Sequence, residues 1–99
     1  MAQSVRLLYR GQKGTIRKNH NWAPIKANSA VVITAAEFSV ANCRPLLGAA
    51  NVYVTNIGPH GPEGGTGGVE FLLHVDWETP LDVIVTITVL GDIDVFQEV

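Results

Sequence analysis

The chain has a single cysteine, no lysine or arginine after position 44, and no apolar run approaching the ~18 residues that cross a bilayer as a helix. Each scarcity excludes something. Cys43 alone closes no internal disulfide, and no Asn-x-Ser/Thr acceptor occurs. The opening Met-Ala-Gln-Ser-Val-Arg has no basic stretch leading into an apolar one, so a cytoplasmic chain that stays out of the membrane is expected. Cysteine is among the most buried residue types, and Cys43 is expected as a small core hydrophobe. No Gly-x-Ser-x-Gly, His-Glu-x-x-His, Cys-x-x-Cys or Gly-x-x-x-x-Gly-Lys-Ser/Thr is present, which removes the common signatures of nucleophilic, zinc and phosphate-binding chemistry. No cofactor is implied.

What is present is apolar. Of 99 residues 46% are hydrophobic and only 16% charged, with mean hydropathy +0.20. That is material for one core and one domain, residues 1–99. So few charges also suggest that part of the surface is covered by another subunit. The charges are segregated. Residues 1–50 carry all seven basic residues and one acid, Glu37, while the remaining eight acids all follow. Such polarity fits halves that face each other within the fold, subunits that meet head to tail, or an anion-binding face. The first is the default. Tyr9, His20 and Trp22 interleave with basic residues as in single-strand nucleic-acid binders, but an isoelectric point near 5.8 argues against that partner.

Alternation of period two runs through the chain and predicts an all-β domain, a small antiparallel β-sandwich or barrel of six to seven strands with at most one short helix. Val5, Leu7 and Tyr9 alternate with Arg6 and Arg10, and Gly11 to Gly14 read as the turn of a hairpin into a strand at 15–18. Residues 19–29 read as a loop. The segment 31–40 reads as a strand, although Thr34-Ala-Ala-Glu37 also matches a helix capping box. After a strand at 52–57, six glycines in residues 58–68 mark a mobile or tightly turned loop with no phosphate-binding context. Residues 69–78 alternate best, placing Val69, Phe71, Leu73, Val75 and Trp77 on one face. Trp77 is therefore expected buried and Trp22 more exposed. Residues 82–90 are apolar on both faces, as in a central strand. Residues 93–99 read as an acidic final strand with Ile93 and Val95 inward, and the strand around 6–10 is expected beside 92–98, within one chain or between exchanged chains.

Three functional readings follow. The first is a non-enzymatic β-domain for assembly or binding that forms a homo-oligomer. Ile84, Thr86, Thr88 and Leu90 give the 82–90 strand a second, half-apolar face, and Leu72 interrupts the polar face of the preceding strand, so these five are the candidate interface. Burying ~600 Å² of apolar area per subunit contributes on the order of 15 kcal/mol before association costs. The second is a lectin-like carbohydrate-binding module, in which Trp22 packs on a sugar while Asn19, His20 and Asn21 read its hydroxyls. The third is a small metal-dependent enzyme using His74 and Asp76, two residues apart on one strand face, with His20 or His60 completing the site.

Overall fold

Alternating sequence becomes strand throughout the computed structural model, which describes residues 2–99. In chain order the strands are β1 (Gln3–Gln12), β2 (Gly14–Asn21), β3 (Ser29–Ser39), β4 (Arg44–Leu46), β5 (Asn51–His60), β6 (Gly68–Asp76) and β7 (Leu81–Asp92). They form two antiparallel sheets, ordered β1-β7-β3-β4 and β2-β6-β5. These curl around one core as a half-barrel, the small all-β sandwich or barrel that the pattern predicts. No helix among the described residues is long and apolar enough to cross a membrane.

The core lies between β6 and β7, each flanked on both sides in its own sheet. β6 buries Val69, Phe71, Leu73 and Val75, and β7 buries Val83, Val85, Ile87 and Val89. Ile33 from β3 and Ile25 from the loop at residues 22–28 complete the cluster. The capping-box motif does not nucleate a helix. Residues 31–37 pair along β7 in register, Ile33 opposite Ile87 and Ala35 opposite Val85, and the β-branched run Val31 to Thr34 favours that choice.

The strand count agrees with expectation, but its membership differs. Residues 93–99 form no strand. β7 already pairs with β1 on one side and β3 on the other, so a segment running past its end finds no edge beside it. Its place in the count is taken by β4, a three-residue edge strand whose Pro45 is tolerated because an edge leaves one side of the backbone unpaired. The strand at 6–10 consequently lies beside β7, with Leu7 opposite Val85 and Tyr9 opposite Val83, and not beside 92–98.

The expected β1–β2 hairpin is also replaced. A register irregularity between Tyr9 and Gln12, with Gly11 and Gly14 at φ +64° and +76°, swings the chain from one sheet into the other. β1 pairs only with β7 and β2 only with β6, so each is an edge strand of its sheet. Across this side Lys18 Nζ lies 4.5 Å from the centre of the Tyr9 ring. Burial pushes the Tyr9 phenol above its ordinary pKa.

Three side chains sit opposite to expectation. Trp22, following β2, packs against the core cluster, whereas Trp77, beyond the end of β6, is 41% exposed. The apolar alternation of 69–77 outlasts the strand, and past Asp76 no sheet remains to bury its next member. Cys43 is exposed in the turn from β3 to β4, with φ +52° and its N–H donated to the Ser39 carbonyl at 2.7 Å. A turn position of that geometry faces solvent whatever the polarity of the side chain.

The segregated charges meet within the chain. Arg10 pairs with Asp82 at 3.0 Å, Lys26 with Asp92 at 3.3 Å, and Arg17 with Glu70, each pair joining the basic half to the acidic half. All three are solvent-accessible, so each contributes about 0.2–1 kcal/mol at most.

The glycine-rich connection, residues 61–67, is tightly held at its ends. The Gly67 carbonyl accepts the Trp22 N–H at 2.8 Å and the Gly61 carbonyl accepts the Ala27 N–H at 2.9 Å. A Cβ on Gly67 would stand 1.8 Å from the Ile25 carbonyl oxygen, whereas one on Gly65 would meet nothing within 4 Å. Gly67→Ala is therefore expected to lower stability in urea unfolding by about 2–3 kcal/mol, and Gly65→Ala to change it by less than about 0.5 kcal/mol. Equal midpoints for the two variants would contradict this packing.

Candidate functional site

Two outward surfaces carry the residues that the sequence singles out. The first is the outer face of β2-β6-β5. Alternation sends Ile16, Lys18 and His20 of β2 inward, and Thr15, Arg17, Asn19 and Asn21 outward. Residues 19–21 thus belong to a strand and not to a loop, and the four residues expected to bind a sugar are divided. Asn19 and Asn21 face solvent, His20 faces the interior, and Trp22 packs on the core.

On β6 the outward set is Glu70, Leu72, His74 and Asp76. His74 is held on three sides. Its Nδ1 lies 3.1 Å from Thr15 Oγ1, its Nε2 lies 2.7 Å from Thr55 Oγ1, and its ring stacks on Tyr53 with centroids 4.5 Å apart and planes within 8°. Both imidazole nitrogens are thus engaged with hydroxyl groups. Asp76 follows on the same face. Among the described residues, no group of three His, Cys, Asp or Glu is gathered closely enough to hold a metal. His60 stands at the far end of the face, its Nε2 donating to Asn19 Oδ1 at 2.7 Å, and Asn19 Nδ2 donates in turn to Asn21 Oδ1 at 3.0 Å.

Between these ends Arg17 Nε donates to Glu70 Oε2 at 2.8 Å. Two open depressions flank the row, one of about 270 Å³ beside Tyr53, His74 and Asp76, the other of about 300 Å³ beside Arg17, Glu70 and Leu72. Tyr53, Thr15 and Thr55 were not singled out by sequence reasoning. Their signal was the alternation of 52–57, which places Tyr53 and Thr55 on one face, but the pairing of that strand with β6 is needed to bring them to His74.

The second surface is the outer face of β1-β7-β3-β4. It carries four of the five expected interface residues, while Leu72 lies on the other sheet and points away from them. Thr88 and Thr86 are engaged within the chain, Thr88 with the Ser4 hydroxyl at 2.8 Å and Thr86 accepting from Arg6 Nε at 3.0 Å. Ile84 is shielded between its cross-strand neighbours Leu8 and Ala36. Leu90, by contrast, is 54% exposed, as is much of Val32 nearby on β3. Residues 93–99 leave the domain at this end, tethered by the Ile93 N–H to the Asn28 carbonyl at 2.8 Å. Ile93, Val95 and Phe96 are all exposed, Phe96 at 92%.

The stacked pair gives a direct check of the first surface. In a double-mutant cycle of Tyr53→Ala and His74→Ala, a coupling of about 1 kcal/mol is expected from the stacked rings, read from urea unfolding. Additive effects would show that the rings do not support each other. Against family models, curated proteins and solved structures, the chain finds no match.

Proposed function

We propose that this chain is a non-enzymatic β-sandwich module that works by assembly, and that it associates with copies of itself. The observation that supports this reading is the exposed apolar surface at one end of the four-stranded sheet. Leu90 and Val32 on its outer face lead to Ile93, Val95 and Phe96 on the segment beyond β7. A small domain that leaves such side chains in water gains by covering them, at about 25 cal/mol for each Å² of apolar area removed. The exposed, unpaired thiol of Cys43 suits a reducing, cytoplasmic setting.

Sedimentation equilibrium at micromolar concentration tests the proposal. A mass above that of the single chain is expected, and a monomer mass throughout would overturn it. Leu90→Lys locates the contact better than a change at buried Ile84, which would disturb the fold. Association weaker by about tenfold would place the β7 face within the interface, whereas unchanged association would move the contact off that face.

A second reading, a lectin-like module, draws on the Tyr53 and His74 platform with amides and charged groups around it. An aromatic surface flanked by Asn, Asp, Arg and Glu side chains suits the apolar faces and hydroxyls of a saccharide. Binding on a glycan array that disappears in Tyr53→Ala would favour it. An array that stays blank would remove it.

A further inference from the structure

Residues 93–99 have the alternation of a strand but pair with no strand among the described residues. β1 has the converse condition. It is ten residues long, pairs with β7 on one side, and leaves its other edge unpaired. Its inward side chains Val5, Leu7 and Tyr9 pack against the core but are only partly buried, unlike the fully buried inward set of β7 beside them. A row of unpaired backbone groups above a half-covered core is an acceptor for another strand.

The side chains of the two segments match. The outward positions of β1 read Arg6, Leu8, Arg10, and the alternate positions of the unpaired segment read Asp94, Phe96, Glu98. On neighbouring strands these triplets bring two opposite-charge pairs and one apolar pair face to face, whether the strands run parallel or antiparallel. The remaining residues, Ile93, Val95, Gln97 and Val99, then fall on the inward side, three of the four apolar and next to Val5, Leu7 and Tyr9. Arg10 and Arg6 are already bonded to Asp82 and Thr86, but a guanidinium carries five donors and keeps others free. Asp94 and Glu98 take part in none of the ion pairs among the described residues. As an extended strand the seven residues span about 23 Å at ~3.3 Å per residue, within the length of β1.

We propose that residues 93–99 form a donor strand that adds to the free edge of β1 in a second copy of this chain, extending its four-stranded sheet to five. This rests on the self-association reading above and specifies its contact. The donated strand covers Phe96 and Leu8, completes the flank of the core, and satisfies an otherwise open edge. The acidic donor and basic acceptor make the pairing selective, since like-charged strands at that edge repel.

The test uses the full chain, the double variant Val95→Pro with Phe96→Pro, and the pair Asp94→Lys with Glu98→Lys, compared by sedimentation equilibrium and amide hydrogen exchange. Val95 and Phe96 are exposed, so prolines there do not disturb the domain. Because successive N–H groups point to opposite sides, one of the two removes a donor that faces β1 in either strand direction. Support would be association weakened by about tenfold or more in both variants, easing with added salt in the parent chain, and protection of β1 and residues 94–99 that grows with concentration. Association unchanged in the double proline variant would overturn the donor strand while leaving self-association standing. A monomer at every concentration would overturn both. Protection of residues 94–99 that is independent of concentration would place the segment on its own domain and overturn exchange between copies.

Discussion

The face-to-face packing of β6 against β7 is the constraint on which the rest depends. Val69, Phe71, Leu73 and Val75 on one strand meet Val83, Val85, Ile87 and Val89 on the other. Each fully buried side chain of this size contributes about 1.5–3 kcal/mol relative to exposure. The period of two makes the arrangement all or nothing, since a slip of one residue in either strand would turn four apolar side chains to water. Once these strands are fixed, every neighbour inherits its facing from them. β1 and β3 take their inward residues from β7, and β2 and β5 from β6.

That inheritance decides what the two outer faces present. The β6 register sets His74 between Thr15 and Thr55 and against Tyr53, and sets Glu70 within reach of Arg17. The result is a polar surface whose groups are engaged with one another and still open on one side. The β7 register sets Ser4 with Thr88, Arg6 with Thr86 and Arg10 with Asp82. It leaves Leu90 and Val32 exposed toward the end where the chain departs, while Val40, Leu46 and Leu47 are exposed around the β3–β4 turn at the other end.

The glycine turn from β1 to β2 has a wider effect than its length suggests. By sending the two strands to different sheets it leaves both as edges, and one side of the half-barrel is closed by side chains such as Lys18 over Tyr9 and not by a backbone ladder. An inward-pointing lysine beside an edge discourages indiscriminate strand pairing. The outward positions of β1 carry Arg6 and Arg10, bonded to Thr86 and Asp82, so the edge of that strand is basic.

The sequence by itself determined the fold class, the inward faces of β1, β6 and β7, and the segregation of charge. All three are local or compositional properties, since alternation fixes facing and a covalent chain fixes which charges stand in which half. Only the tertiary structure decided which strands are neighbours. Nothing within residues 93–99 records that β7 has both flanks taken, so a segment with a strand's alternation is left without a strand's partner. Nothing within residues 9–14 records that the turn leads out of one sheet into the other. The same limit governs the site. Asn19 and Asn21 are adjacent to His20 and Trp22 in sequence yet face the other way, because β2 runs on to Asn21, and the pleat divides what sequence proximity had joined. Tyr53, twenty-one positions before His74, reaches it because antiparallel pairing of β5 with β6 sets the two directly opposite.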